Sequence, residues 1–94
     1  MLKFENVANT GDYIRAYDFK PMKGREDAYI EGTVLGVSTE NGYKAFKIKV
    51  EADKFGSEIE TVEFEGNRVG KIYFVPMETS FMEYDARIIN LSNI

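Results

Sequence analysis

An alternation of apolar and polar side chains over residues 28–52 constrains the fold of this chain more than any other feature. Ile30 and Val34 lie on one face of a predicted strand and Glu31 and Thr33 on the other, as a half-buried strand requires. β-branched and aromatic residues dominate this stretch, which favours strands over a helix. The two-residue period resumes after residue 44, where one face carries Phe46, Ile48 and Val50 and the other carries Ala45, Lys47 and Lys49.

The residues between these two strands predict a tight turn at residues 38–42. Asn41 and Gly42 tolerate the positive φ that hairpin turns need. Gly32 falls on the apolar face of the first strand, where a missing side chain allows a sharp bend or the close approach of another backbone. The stretch therefore predicts a bent β-hairpin.

The middle of the chain predicts further short strands separated by turn residues. We expect strands over residues 12–19, 59–65 and 68–75, the last of which ends at Pro76. In the second of them, Val62 and Phe64 fall on the inner face and glutamates on an outer, edge-like face. Turns are expected at residues 9–12, 20–27, 53–58 and 66–67.

The two ends of the chain are less regular. Residues 1–10 predict a short lead-in segment that packs on the sheet. Residues 77–83 predict a short 3₁₀ turn. Residues 84–91 predict a final strand, with a terminal helix as the alternative.

These patterns together predict one all-β domain over residues 1–94 with five or six short strands. We expect a small Src-homology-3-like barrel, because the loops are short and the central hairpin is strongly bent. A barrel like the oligonucleotide-binding fold is the alternative, although the third and fourth strands of that fold usually bracket a helix.

The composition excludes several classes of function. The chain has neither cysteine nor histidine, which removes Ser-His-Asp and Cys-His nucleophile systems and the usual zinc ligand sets. No Gly-rich phosphate loop or EF-hand spacing is present, so we expect a protein that is not an enzyme and binds no metal or cofactor. Neither a membrane-spanning apolar run nor a signal peptide is evident, and we expect a cytoplasmic protein.

The first candidate site is a Tyr-rich face of the predicted barrel. Aromatic rings interleaved with cations hold single-stranded nucleic acid without sequence specificity, and they also suit a protein partner. The alternative is that the tyrosines pack against Arg and Lys stems for stability alone. The net charge of −4 disfavours nucleic acid. The residues of this face are Tyr13, Arg15, Tyr17, Tyr29, Lys47 and Lys49.

Three further groups of residues are candidates, each with a structural alternative. An aromatic cage for a methylated side chain needs converging rings, for which the candidates are Tyr17, Phe19, Tyr43 and Tyr73. Paired carboxylates bind cations or act as acid and base, but on a strand they more often mark a solvated edge: Glu58, Glu60, Glu63 and Glu65. Apolar residues after Pro76 either form a binding or self-association patch or plug the barrel end: Met77, Phe81, Met82 and Tyr84.

Four stretches carry a resemblance that covers most of the chain after residue 10: GDYIRAYDF, YIEGTVLGV, YKAFKIKV and VGKIYFVP. In this arrangement the sequence resembles small uncharacterised β-barrel proteins of T-even-type cyanophages and marine metagenomes. The resemblance implies a compact barrel of phage or marine bacterial origin, located in the host cytoplasm if phage-encoded. It assigns no catalytic or binding residue. Strand order alone also resembles Tudor and other Src-homology-3-like modules.

The sequence thus leads to two hypotheses about function. The first is a non-enzymatic binding module whose Tyr-rich face takes a protein partner or, less well supported, single-stranded nucleic acid. The alternative is a structural or assembly protein that acts as a homo-oligomer through an exposed strand edge and the segment after Pro76.

Overall fold

A computed structural model describes residues 2–4, 6–19, 23–24, 27–79 and 85–93. Strands and one 3₁₀ helix are its regular elements, and no α-helix occurs in these ranges. The strands are β1 (Leu2–Lys3), β2 (Tyr13–Tyr17), β3 (Tyr29–Ser38), β4 (Ala45–Lys54), β5 (Ile59–Glu60), β6 (Ile72–Pro76), β7 (Glu78–Thr79) and β8 (Ile88–Asn90), and the 3₁₀ helix is η1 (Leu91–Asn93).

Six of the strands form one antiparallel sheet. Its order is β5-β4-β3-β2-β8, and β6 pairs with the same edge of β4 as β5 does. β1 and β7 form a separate antiparallel pair. The predicted all-β class is therefore confirmed. The described pairings do not close the sheet into a ring, so the Src-homology-3-like barrel stays a prediction.

The β3–β4 hairpin is confirmed at the centre of this sheet. Its turn contains Gly42 at a φ of 83°, and the Gly42 amide donates to the Thr39 carbonyl at 3.1 Å. The pairing register slips twice, which leaves Glu51 and Leu35 as the extra residues of two bulges. Bulges bend a strand and increase its twist, and these two account for the bend that the sequence predicted.

One face of the hairpin supplies five side chains of the core. Ile30, Val34, Phe46, Ile48 and Val50 are buried, as their alternation predicted. β2, β6 and β8 cover the same side, and the lead-in segment packs on it as expected. These neighbours contribute Ile14, Ala16, Val75, Ile88, Phe4 and Ala8 to the core.

The prediction of a strand over residues 59–65 is wrong beyond Glu60. Val62 and Phe64 are exposed rather than on the inner face. The buried side chain of Asn67 accepts hydrogen bonds from the amides of Phe64 and Val69 and donates to the Val62 carbonyl at 3.0 Å. Because this side chain takes the backbone groups that a strand partner would use, the segment forms a loop instead.

Two predictions near the C-terminus also need correction. β6 begins at Ile72 rather than residue 68, because residues 69–70 form a turn with Gly70 at a φ of 80°. Residues 78–79, where a 3₁₀ turn was expected, form strand β7, which pairs with β1. The final strand is present but covers only residues 88–90 of β8. Because these residues pair with residues 14–16 of β2, they are not part of the alternative terminal helix.

We predict that Gly32→Ala destabilises the protein strongly. A Cβ atom at this position overlaps the carbonyl oxygen of Lys49 on β4, so the two strands must separate. We expect a loss of about 2–3 kcal/mol in the free energy of unfolding, measured by urea denaturation.

Gly36→Ala is the matched control on the same strand. A Cβ atom at Gly36 meets no atom within 4 Å. Its effect is expected to stay within about 0.5 kcal/mol. Equal effects of the two substitutions would contradict the close approach of β3 and β4 at Gly32.

Candidate functional site

The strand register brings four residues of the predicted Tyr-rich face together. Tyr17 lies opposite Tyr29, and Arg15 opposite Glu31, on neighbouring strands β2 and β3. The rings of Tyr17 and Tyr29 meet edge to face, with 5.3 Å between their centroids. Tyr13 completes the group, because its hydroxyl reaches the Glu31 carboxylate at 3.4 Å.

Arg15, the cation of the face that lies beside these rings, is already bound within the chain. Arg15 Nε donates to Glu31 Oε2 at 2.6 Å, and the guanidinium lies 4.5 Å from the centroid of the Tyr29 ring. Lys54 lies 5.8 Å from the same centroid, and its ammonium donates to the Asp27 carbonyl at 2.6 Å. Tyr17 and Tyr29 are only 8% and 6% exposed. Their rings are therefore mostly covered by side chains of this protein, as the alternative of a purely stabilising role requires.

These contacts shift the pKa values of the groups involved. Burial, reinforced by the negative charge of Glu31, raises the pKa of Tyr13 to about 12. Burial also raises the pKa of Tyr29, although Arg15 opposes that shift. Burial disfavours the charge on Arg15, but hydrogen bonds to Tyr17 and Glu31 outweigh it, and its pKa lies above the usual value.

Lys47 and Lys49 lie on another part of the same sheet face. Lys49 is opposite Thr33 on one side and Ile72 on the other, and Lys47 is opposite Phe74. Directly opposed residues project from the same face of a sheet. The two lysines thus stand beside apolar side chains of β6, one strand away from Tyr29 and two strands away from Tyr13 and Tyr17.

A different polar cluster, absent from the sequence-based candidates, lies at one end of the core. Asp53 occupies the inner face of β4 beside Ile30, and its carboxylate accepts hydrogen bonds from the backbone amide and the guanidinium of Arg68. Asp18 binds the other side of the guanidinium at 2.9 and 3.0 Å. The Tyr73 ring lies below it, with the guanidinium carbon 5.3 Å from the centroid.

Burial and charge oppose each other in this cluster. Burial disfavours the charge on Asp53, but the hydrogen bonds and positive charge of Arg68 outweigh it, so the pKa of Asp53 lies below its usual value. Burial likewise opposes the charge on Arg68, but its bonds to Asp18 and Asp53 hold its pKa above the usual value. Arg87 has a lowered pKa because burial outweighs the attraction of Asp18.

An open cleft of about 570 Å³ lies against this cluster. Arg68 binds the carboxylates of both aspartates at the cleft. The carboxylate of Glu60, the third at the cleft, forms no ion pair with any residue that the structure describes. The wall contributed by Phe55 is strongly exposed. The lining residues are Asp18, Phe19, Asp53, Phe55, Glu60, Gly66, Asn67 and Arg68.

We call residues 55–66 the acidic segment. It contributes Phe55, Glu60 and Gly66 to the lining of the cleft. Four of its apolar side chains are strongly exposed: Phe55 (80%), Val62 (76%), Ile59 (51%) and Phe64 (49%). Its four charged residues are all glutamates, the same Glu58, Glu60, Glu63 and Glu65 that the sequence singled out. Lys71 lies beside Glu63 and Glu65 and donates to the Asn67 carbonyl.

The rings proposed for an aromatic cage do not all converge. Tyr43 lies in the β3–β4 turn, whereas Tyr17 pairs with Tyr29 at the opposite end of β3, about 30 Å of strand away. Tyr73 lies under Arg68, and Phe19 lines the cleft. These positions are incompatible with one cage formed by all four rings.

The predicted interface after Pro76 is described at one position. Met77 is buried in the core, so its side chain is not part of an exposed patch. The alternative that the segment plugs the end of a barrel stays a prediction. Phe81, Met82 and Tyr84 lie outside the described residues.

No group of three or more acidic side chains in the described ranges is arranged to hold a metal ion. The described part of the chain also has no helix long and apolar enough to cross a membrane. Comparison of the chain with protein-family models, curated proteins and solved structures gives no match. The resemblance to cyanophage proteins therefore stays a prediction.

We predict that Arg68→Met lowers stability by about 2–3 kcal/mol, because it leaves the buried charge of Asp53 without its ion pair and with only the backbone amide of residue 68 as a donor. The loss is smaller than for a wholly buried pair, since the side chains of Arg68 and Asp18 are partly exposed. Lys3→Met, which breaks the exposed Lys3–Glu78 pair, is the control and is expected to cost less than about 0.5 kcal/mol.

The pH dependence of the same variant gives a second measurement. In the wild type, the lowered pKa of Asp53 stabilises the fold above the ordinary value of 3.8, and this contribution is lost as the pH falls through the folded-state pKa. Without the guanidinium, burial is opposed only by the backbone amide of residue 68 and by Lys71, so the pKa of Asp53 lies higher in the variant than in the wild type. The stability gap between wild type and Arg68→Met should therefore narrow as the pH falls from 7 toward 3.8. A constant gap would argue against the ionic role of the pair.

We also predict that one phenol titrates late in alkaline solution. The pKa of Tyr13 is about 12 against an ordinary 10.0, so its neutral form stabilises the fold fully below pH 10, and this contribution is lost as the pH rises toward 12. Phenolate absorbance of the folded protein should contain a late component that loses the contribution of one phenol in Tyr13→Phe, while Tyr29, whose pKa is also raised, still contributes. In Glu31→Gln the component should move to lower pH, and an unmoved titration would contradict the contact with Glu31.

Proposed function

We propose that the protein is a non-enzymatic binding module that captures a protein partner through the acidic segment. The observation that carries this proposal is the exposure of four large apolar side chains within residues 55–66. A monomeric protein rarely exposes such residues together unless they bind something. The loop is also held in shape, since the buried Asn67 side chain binds the backbone of Val62, Phe64 and Val69.

The charges of the segment define the chemistry of the partner. Its four glutamates form no ion pair with any described residue, and no lysine or arginine lies between residues 55 and 66. Carboxylates around exposed apolar side chains attract a surface that combines basic and apolar residues. We therefore propose a basic, apolar segment of a protein as the partner.

The Tyr-rich face is a weaker binding surface by the same reasoning. Its rings are largely buried and Arg15 is bound to Glu31, so a nucleic acid would have to break existing contacts to stack there. Lys47 and Lys49 remain accessible but stand apart from the tyrosines. These contacts favour a stabilising role for the face and a protein over single-stranded nucleic acid as partner.

The finer fold type and the location belong to the same proposal. We propose that the six-stranded sheet curls into a small barrel of Src-homology-3-like type, supported by the two bulges that bend β3 and β4. We propose the cytoplasm as its location, which a chain without cysteine allows.

The test uses short fluorescein-labelled peptides that differ in one property at a time. A peptide alternating lysine with phenylalanine should bind, as followed by fluorescence anisotropy. Peptides alternating lysine with serine or glutamate with phenylalanine should bind at least about tenfold more weakly, since each lacks one half of the recognition.

Variants assign the binding to the segment. Phe55→Ser/Val62→Ser removes two exposed side chains and should weaken the lysine–phenylalanine peptide at least about tenfold without loss of stability. Val37→Ser/Tyr43→Ser removes exposed apolar groups elsewhere and should not. Equal binding by both variants, or no binding by the wild type, overturns the proposal. Binding of oligothymidine with a steep salt dependence that Lys47→Glu abolishes would establish nucleic-acid binding instead.

A further inference from the structure

A second exposed surface combines positive charge with apolar side chains. Lys47, Lys49, Ile72 and Phe74 share the outer face of β4 and β6, as their pairing shows. We call these four residues the basic patch. Ile72 is 46% exposed, and the bulge residue Leu35, on the strand that flanks β4 on its other side, is 45% exposed.

The ammonium groups of the basic patch are not bound by other described residues. Neither forms a hydrogen bond or ion pair with another described residue, in contrast to Arg15, Lys54 and Arg68. Glu51, two residues beyond Lys49, accepts a hydrogen bond from Thr33 at 2.5 Å. Glu51 is the nearest described carboxylate to Lys49 along the strand, but it forms no ion pair with either lysine of the patch.

The basic patch has the chemistry that we infer for the partner of the acidic segment. One surface carries four glutamates around exposed Phe55, Ile59, Val62 and Phe64, and the other carries two lysines beside Ile72 and Phe74. Within a chain the two do not compensate each other, because no ion pair joins them among the described residues.

We propose that the acidic segment of one copy binds the basic patch of a second copy, so that the chains associate head to tail. This rests on the proposed function of the acidic segment and names its partner. Both surfaces lie along one edge of β4, since β6 pairs with residues 45–49 and β5 with residues 53–54, and Glu63 lies against Gly70, two residues before Ile72. The charges of the two surfaces form no ion pair with each other within the described residues of one chain.

Two different surfaces in contact make a heterologous interface. A pair of bound copies still presents one free acidic segment, on one chain, and one free basic patch, on the other, so association continues until a ring closes or a filament forms. A symmetric dimer, by contrast, would use the same surface on both chains and stop at two.

The test uses two variants, each with one surface blocked. Phe55→Ser/Val62→Ser blocks the acidic segment and leaves the patch intact, and Lys47→Glu/Lys49→Glu does the reverse. By analytical ultracentrifugation we expect each variant alone to be a monomer of 10.8 kDa. An equimolar mixture should form a species of twice that mass and nothing larger, because only one productive contact remains.

The wild type should behave differently from either variant. Its average mass should rise with concentration beyond that of a dimer and fall again near 1 M salt, where the Debye length is only about 3 Å. A wild type that stays monomeric into the millimolar range overturns the inference, as does a variant that alone still dimerises.

A mixture that stays monomeric also overturns it, provided that both variants melt like the wild type. If the lysine variant melts early, Lys49→Glu/Ile72→Ser replaces it, since both side chains are exposed. The outcome is separable from the proposed function, because Lys47→Glu/Lys49→Glu keeps the acidic segment and should still bind the lysine–phenylalanine peptide. Peptide binding without self-association leaves the binding module and removes the second copy as its partner.

Discussion

The antiparallel pairing of β3 with β4 is the interaction on which the rest of the sheet depends. β2 pairs with β3, while β5 and β6 pair with the other edge of β4, and β8 joins through β2. Five core side chains come from this hairpin alone. At Gly32 the backbones of the two strands approach so closely that no side chain fits between them. The bend produced there and at the second bulge lets one hairpin line the core and still present two different edges to the surface.

Closing one end of this core requires a charged cluster rather than an apolar cap. Asp53 occupies an inner-face position next to Ile30, where an apolar side chain would follow the alternation. Because a buried carboxylate is unfavourable without a partner, its position depends on Arg68, and Arg68 in turn holds Asp18. The cluster therefore ties the end of β2, the end of β4 and the loop before β6 to one guanidinium. It also fixes the start of the acidic segment.

The parts of the fold that were predictable from sequence are those set by local patterning. The hairpin, its turn and its buried face follow from a two-residue period interrupted by residues that tolerate positive φ. The same period misled at residues 59–65, because the Asn67 side chain binds the backbone of that stretch and leaves Val62 and Phe64 in solvent. Alternation records which residues can form a strand, but it does not show whether a partner strand is available.

The candidate site was less predictable, because it depends on contacts between distant residues. Arg68 meets Asp18 across 50 positions and Asp53 across 15, and no short motif marks such a set. Four residues of the predicted Tyr-rich face do lie together on β2 and β3, but its composition gave no sign that Glu31 would bind Arg15. The glutamates of the acidic segment were visible in the sequence, whereas the exposure of the apolar residues between them was not.

The distribution of paired and unpaired charge separates the surface that serves the fold from the surface that is open to binding. Where charges stabilise this chain, each is bound within it, as Arg15 is by Glu31 and Arg68 by two aspartates. The glutamates of residues 55–66 and the two lysines Lys47 and Lys49 have no such partners among the described residues, and both groups stand next to exposed apolar side chains. No ion pair joins these opposite charges within the described residues of one chain. A contact that is not made within one chain is available between two chains, and this is why we infer association with a second copy rather than an unrelated basic protein.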